Sequence, residues 1–363
     1  MHALKIQSPT HAAVVTTPLP PLPPGHLLIR THAVALNPTD WNQHIDAPAL
    51  GLGPVGSTIG CDYAGVITAV GAGVDASQIG VRVCGVVHGA NTTAPTSGAF
   101  AEYVVAPAGL VIKLPEQMSW EEGAGLGVAM LTVGQAFYQK KRLPVQGLGG
   151  KEGEVGAGEG GKKPWFLVYG GSSGMGAYGI QFAKLSGFEV ITTCHPRNFD
   201  YVKSLGASAA FDYRAPGCGA EIRAYTDNQL YDIWDTIGGD EVAKICAEAF
   251  SDSAKPDGSK LWYGSITGDT FSPRDDVEVS FNLGYTGLGR EFEIAGEMFE
   301  ASEEDFEFMK MWCKVAEGLI AEGKIKIHRM DVRDGGLEGV FRGILEMKEG
   351  KVSGKKLIYK LEL

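Results

Sequence analysis

Along residues 1–115 the apolar positions fall in short β-branched runs at 26–36, 58–70, 81–87 and 100–105. Each is closed by Gly or Pro, and no helix of ordinary length fits among them. At Ser119 the pattern changes. A Ser119-x-x-Glu122 capping box, its hydroxyl serving an amide three residues on and its Glu reaching back, opens a helical run expected to continue to about Arg142. From residue 165 strands and helices alternate. Strands fall at 165–169, 189–194, 209–212, 230–235 and 260–264, with helices from Gly174, through Tyr201, near Glu221 and over 241–250. That succession predicts a parallel, doubly wound sheet. The tail adds a helix opened by Ser302 with Asp305, a strand at 326–332, a helix at 337–348 and a strand at 356–361. The alternation stops well before the C-terminus, so these last strands are expected to return to the N-terminal β region. The class is α/β, with a mainly β domain of 1–125 and 325–363 and a doubly wound domain of 126–324. Eight glycines within 147–161, mixed with Lys and Glu, bury too little apolar surface to offset ordering entropy and predict a mobile surface loop.

A length of 363 residues gives room for two domains, and 44% hydrophobic with 21% charged residues is ordinary globular usage. The net charge of −11 disfavours a nucleic-acid partner, which needs a concentrated basic footprint. No apolar stretch is long enough for a membrane span, and residues 1–5 lack the layout of a secretion signal. The six cysteines, at least 23 positions apart, form neither a disulfide framework nor a Cys-x-x-Cys knuckle. The expectation is a cytoplasmic protein with buried thiols.

The strongest local signal is Val168-Tyr169-Gly170-Gly171-Ser172-Ser173-Gly174-Met175-Gly176-Ala177, between an apolar strand and an apolar-striped helix. Gly171 is expected to permit the tight turn, Gly174 to admit a pyrophosphate at the helix N-terminus, and Ala177 to let the helix lie close on the sheet. An NAD site normally ends its second strand with an acid. Here that end reads Thr192-Thr193-Cys194-His195-Pro196-Arg197-Asn198, and Arg197 with the Thr193 hydroxyl is suited to a 2′-phosphate. The expected cofactor is NADPH. Asp200, the nearest acid, falls in the following helix.

None of the 12 tyrosines has Lys four positions on, so the proton-transfer pair of short-chain reductases is missing; Tyr138 comes nearest, with Arg142. Gly60-Cys61-Asp62-Tyr63-Ala64-Gly65-Val66 resembles the Gly-His-Glu-x-x-Gly element of medium-chain dehydrogenases with its metal-binding His and neighbouring Glu both replaced. With Asn37-Pro38-Thr39-Asp40, Gly98-Ala99-Phe100-Ala101-Glu102-Tyr103, the glycine turn and Ser353-Gly354-Lys355, the chain resembles the zinc-independent quinone-oxidoreductase branch over nearly its whole length. Within it, 35–41, 193–200, 211–216 and 350–357 are most similar to the fungal trans-acting enoyl reductases that serve polyketide synthases.

The resemblance implies a GroES-like β domain with a Rossmann domain, NADPH as cofactor and no metal. It implies cofactor contacts at Asn37, Thr39, Asp40, Asn42, Ser172, Ser173, Gly174, Met175, His195, Arg197, Asn198, Tyr213, Val352 and Ser353, beside Gly171 and Thr193 from the turn and strand end. It also implies substrate-facing segments at 127–134, with Gly127, Val128 and Leu131, and at 283–287, with Leu283, Gly284, Tyr285, Thr286 and Gly287. Some members have Lys where this chain has Asn42, which is open between a nicotinamide-ribose contact and a local cap.

The expected reaction is reduction of an activated C=C bond, of an enoyl thioester free or carrier-bound, with a polyketide synthase as partner in trans. Thr39, Asn42 and Thr132 are the candidates for meeting the enolate oxygen, and water can protonate the α-carbon. A quinone or enone reductase of free small molecules and a non-catalytic nucleotide-binding protein are the competing readings. Small residues at 284, 287 and 289 are expected to leave room for an acyl chain, with Tyr285 as one wall. Tyr63 and Cys61 read as core, His44 as a partly exposed loop residue, and the acids of 297–307 as a solvated helix start.

Overall fold

The computed structural model describes residues 1–42, 53–145, 162–268, 274–294 and 296–361; the glycine-rich segment 147–161 and His44 lie outside them. The chain divides into two compact units, 132–283 and 1–131 with 284–363.

In the 132–283 unit six strands lie side by side in the order Ala209–Phe211, Glu189–Thr193, Trp165–Tyr169, Leu230–Asp235, Leu261–Ser265 and Val277–Phe281, every pair parallel. Counted along the chain this is 3-2-1-4-5-6, the doubly wound order with its reversal between the first and fourth strands. Phe166, Leu167, Val168, Ile191, Ile233 and Trp234 are wholly buried, as befits a sheet covered on both faces. The last strand, absent from the sequence reading, leaves Val279 and Phe281 exposed at the sheet edge.

The other unit is built on strands Met330–Arg333, Lys356–Lys360, His26–Ala35, Asp62–Val70, Arg82–Val86 and Val111–Lys113 in that order, with Tyr103–Pro107 also pairing with His26–Ala35. The C-terminal strand joins antiparallel, Ile358 opposite Ala35. Leu27, Ile29, Tyr63, Phe100, Val340 and Tyr359 share its core. Segment 284–324 also belongs here, so this unit is larger than 1–125 with 325–363. In the Glu303–Ala321 helix Trp312 Nε1 donates to the Met130 carbonyl at 2.7 Å, and the Glu317 carboxylate accepts the Lys113 N–H at 3.0 Å.

The capping box forms, Ser119 N–H donating to Glu122 Oε2 at 2.8 Å and Glu122 N–H to Ser119 Oγ at 3.2 Å. Its helix nevertheless stops at Ala124, a second covers Gly127–Val133, and Gly134–Lys140 is π-helical, in place of one run to Arg142. The interruption lets Gly127 abut Gly85, whose carbonyl oxygen lies 2.1 Å from where a Cβ would be. No helix among the described residues is long and apolar enough to cross a membrane.

Candidate functional site

The glycine turn joins strand Trp165–Tyr169 to helix Gly176–Leu185 at the sheet's reversal point. The residue in the left-handed region is Gly170, with φ of +81°, rather than Gly171. Gly171 is required for a different reason: a Cβ there would fall 2.0 Å from Thr192 Oγ1. Close seating of the helix is assigned to Gly179 as well as Ala177, since a Cβ at Gly179 would meet the Trp234 ring at 2.4 Å. Ser173 Oγ accepts the Gly176 N–H at 2.9 Å and lies 3.0 Å from Thr236 Oγ1, which donates to the Tyr169 carbonyl at 2.8 Å. Thr236 thus fixes the turn to the fourth strand, a link local sequence did not announce. Ser172, Ser173, Gly174 and Met175 are half-buried and precede or open the helix, where backbone N–H groups lack intrahelical acceptors.

At the end of the second strand Thr193 is wholly buried, and its Oγ1 accepts the Gly170 N–H at 3.0 Å. Its hydroxyl therefore braces the turn instead of standing ready for a phosphate. His195 accepts the Arg197 N–H on Nδ1, closing a short turn that leaves Arg197 exposed. Asn198 is 5% exposed, and its Nδ2 is buried with no hydrogen-bond partner, a donor whose desolvation calls for an acceptor. Tyr213 is exposed, beside an Arg214 already paired with Asp212 at 2.9 Å. A glycine cradle, an orphaned amide and an exposed guanidinium fit a dinucleotide.

The second assembly lies in the β unit, where the fold brings Asn37, Asp40, Cys61, Asp62, Val128, Tyr285 and Lys356 together. Asp62 is completely buried. It meets Lys356 Nζ at 3.0 Å, accepts Asn37 Nδ2 at 2.9 Å and accepts the Val128 N–H at 2.6 Å. The Asn37 side-chain carbonyl accepts from Lys356 Nζ, and its backbone N–H donates to Asp40 Oδ2 at 2.6 Å. Asn37 and Asp40, each 2% exposed, are thus engaged within this unit rather than presented as cofactor contacts. Thr39 is half-buried with Oγ1 3.8 Å from Cys61 Sγ, and Thr132 sits one turn beyond Val128 on its helix, 8% exposed. Asn42 ends the Thr39–Asn42 turn, and its side chain lies outside the described residues. Val352 packs on the β core and Ser353 is exposed.

Desolvation by burial raises the Asp40 carboxyl to about 7, and Asp62 pushes it the same way. A carboxyl raised on folding stabilises the fold relatively at low pH, an advantage lost as pH climbs from the unfolded value near 4 through 7. Asp40→Asn should therefore gain stability relative to the native chain on going from pH 4 to pH 8, on the order of 3–4 kcal/mol at about 1.4 kcal/mol per unit. Urea denaturation at both pH values checks this; a pH-independent difference would contradict it.

The glycines expected to leave room for an acyl chain have their space filled. A Cβ would meet Leu131 Cδ2 at 2.3 Å from Gly284, Met309 Cγ at 2.9 Å from Gly287 and the Phe306 ring at 2.6 Å from Gly289. Gly287→Phe should accordingly destabilise by at least about 2 kcal/mol and lower turnover at every chain length alike; a normal melting curve with losses confined to long substrates would restore the acyl-room reading. Leu131 is buried and Leu283 half-buried; Thr286 donates to Asp305, which is 9% exposed and so no solvated acid. Tyr285 is 8% exposed, its hydroxyl 3.5 Å from Cys61 Sγ and its ring stacked on His88 with centroids 3.7 Å apart.

Burial, helped by Asp40, raises the Cys61 thiol to about 12, so it keeps its proton and offers no thiolate. No group of three His, Cys, Asp or Glu side chains able to hold a metal is gathered among the described residues. Residues 23–116 match the alcohol dehydrogenase GroES-like domain family and 174–300 the zinc-binding dehydrogenase family. The trans-enoyl reductase resD of Aspergillus sclerotiorum is 40% identical over 370 residues, covering 99% of this chain and 100% of that protein. The trans-enoyl reductase ACTTS2 of Alternaria alternata is 38% identical over 361 residues, covering 99% and 98%. Among solved structures, CurK enoyl reductase superposes with a TM-score of 0.73 at 17% identity over 99% of each chain. The quinone oxidoreductase from Coxiella burnetii does so at 0.69 and 21%, over 99% of this chain and 98% of that one. At such identities the structures speak for the fold alone, whereas the full-length relatives speak for the family. An oxidoreductase with an NAD(P)-type cofactor, the chain belongs to the fungal trans-enoyl reductases, in the zinc-independent, quinone-oxidoreductase-like branch of the medium-chain dehydrogenases.

Proposed function

We propose that the protein reduces the C=C bond of an α,β-unsaturated thioester with NADPH, acting in trans on acyl chains carried by a polyketide synthase. The single observation carrying this reading is full-length likeness to trans-enoyl reductases, joined to a protonated thiol and a lysine-paired carboxylate at 61 and 62, where the element that this segment resembles carries a metal-binding His and its neighbouring Glu. Cytoplasmic action accords with six unpaired, buried cysteines. Arg197, with no acid at the strand end, supports NADPH over NADH.

The glycine turn 170–175, with Asn198 and Arg197, would hold the dinucleotide, which when bound would supply hydride for the β-carbon, the C=C π pair becoming the Cα–C1 π bond of an enolate as the carbonyl π pair passes to the thioester oxygen. The chain's own contribution is to hold that oxygen with neutral donors, for which the hydroxyl of half-buried Thr39 is the candidate in the β unit. Asp62 and Lys356 cancel each other's charge and act on position only: the carboxylate fixes the start of the Gly127–Val133 helix, and the ammonium fixes Asn37.

NADPH oxidation measured with a pantetheine-linked enoyl thioester, with a simple quinone and with no acceptor tests the reading. Turnover confined to the thioester is expected. Equal turnover of the quinone would favour a general quinone reductase, and tight NADPH binding without turnover would favour a non-catalytic role.

A further inference from the structure

A cavity of about 710 Å³ is lined by Pro24, Thr93, Leu288, Arg290, Phe306 and Lys310, all residues of the β unit. Its volume is that of a small-molecule pocket. Gly289, with φ of +71°, turns the chain after Leu288 and delivers Arg290 to the cavity wall. Other half-buried arginines of this chain are satisfied internally. Arg82 donates to the carbonyls of Pro115, Glu116 and Met118, and Arg274 and Arg333 pair with Asp276 and Asp331. Arg290 is half-buried too, yet its side chain makes no hydrogen bond or ion pair among the described residues, and burial alone pushes its pKa below the ordinary arginine value. Glu291, which also lines the cavity, is exposed, and Glu307 is taken by Lys310 at 2.8 Å and 3.0 Å. A guanidinium keeps its charge and its five N–H donors at any physiological pH, so leaving it partly desolvated and unbonded is a cost that an anion in the cavity removes. Lys310 adds a second cation on the same wall, its stem lying on Gly109, where a Cβ would meet Lys310 Cγ at 2.7 Å.

We propose that this cavity binds the phosphate of a pantetheine arm, Arg290 gripping the arm that presents the enoyl thioester. The inference rests on the thioester reading given above. The planar fork of a guanidinium matches two oxygens of a phosphate, and a second cation beside it suits a group that carries more than one charged oxygen. Pro24, Leu288 and Phe306 give the cavity apolar walls for the paired methyls that follow the phosphate in a pantetheine arm. A slender arm fits a cavity of this size; the flat face of a protein does not. Leu288 also closes the helix Gly284–Leu288, whose Tyr285 hydroxyl lies 3.5 Å from Cys61 Sγ, itself 3.8 Å from the Thr39 hydroxyl. The cavity is thus linked to Thr39 by a short run of touching residues within one unit. It is separate from the dinucleotide's anion site, since the glycine turn belongs to the 132–283 unit. A phosphate on a pantetheine arm comes either from a carrier domain or from free coenzyme A, and the same chemistry serves both.

Reduction of crotonyl pantetheine and of crotonyl 4′-phosphopantetheine by the native, Arg290→Gln and Arg290→Lys proteins tests this, together with calorimetric titration of 4′-phosphopantetheine and of pantetheine. The native KM should be lower for the phosphorylated substrate by about tenfold or more, the range for charged hydrogen bonds to one anion. 4′-Phosphopantetheine should bind and pantetheine should not. Arg290→Gln should abolish that binding and the difference in KM, and Arg290→Lys should keep part of both, because an ammonium keeps the charge without the fork. The melting temperature should not fall in either variant, since no native contact of the side chain is lost, and NADPH Kd should stay within about twofold. Crotonyl-CoA and a crotonyl-loaded isolated acyl carrier domain, run in the same assay, distinguish the two sources, the lower KM marking the one that enters. Equal native KM values for the first two substrates, a preference that survives in Arg290→Gln, or NADPH affinity lost in parallel would each overturn the proposal. If no thioester is reduced while 4′-phosphopantetheine binds the native protein and not Arg290→Gln, the thioester reading fails and the phosphate site stands; if both pantetheine thioesters are reduced alike, the phosphate site alone fails.

Discussion

Lys356→Met is expected to destabilise the β unit by about 3–5 kcal/mol, the range for removing one member of a buried ion pair. The cost is not that of one lost attraction. Asp62 is wholly buried and would be left among Asn37 and Val128 with no cation beside it, while the Asn37 carbonyl would lose the ammonium N–H it accepts. Methionine matches the stem of lysine, so packing is nearly preserved and the effect reports charge. Adding Asp62→Asn to the same chain should recover a large part of the loss, because an amide at that position still accepts the Val128 N–H and carries no charge. Urea denaturation of the two single variants and the double variant measures the coupling. Additive losses, or a single-variant loss below about 1 kcal/mol, would show that the pair is not what holds this corner.

Arg197→Ala should weaken NADPH binding by about 1.5–3 kcal/mol, roughly 10- to 150-fold, and leave NADH binding unchanged. The guanidinium is exposed on the turn after the second strand. A charged hydrogen bond to a 2′-phosphate is the one contact by which it would distinguish the two dinucleotides. Because it is exposed, the preference should shrink as salt is raised. Calorimetric titration of both cofactors at two ionic strengths checks both statements. Equal affinities in the native protein would remove the basis for choosing NADPH.

Signals carried by neighbouring residues were legible in the sequence. The glycine turn, the βα alternation and the Ser119–Glu122 box each depend on residues within one turn or one strand of each other, and each forms. What escaped depends on distant partners. Nothing around Asp62 announces Lys356, which reaches it only because the C-terminal strand pairs with His26–Ala35. The glycines at 284, 287 and 289 look like space until Leu131, Met309 and Phe306 are seen to fill it. Thr193 looks like a phosphate ligand until its hydroxyl is found on the Gly170 amide. The helix break before Gly127 goes with the approach of Gly127 to the Gly85 carbonyl on another strand, a contact that the helical pattern on either side does not announce.

The most direct measurement is transfer of a label from NADPH deuterated at nicotinamide C4, with a crotonyl-length pantetheine thioester as acceptor in ordinary water. One deuterium at the β-carbon of the saturated product, and none at the α-carbon, is the result expected of hydride addition followed by protonation from exchangeable groups. Deuterium at the α-carbon, or NADPH consumed with the C=C bond intact, would contradict the account.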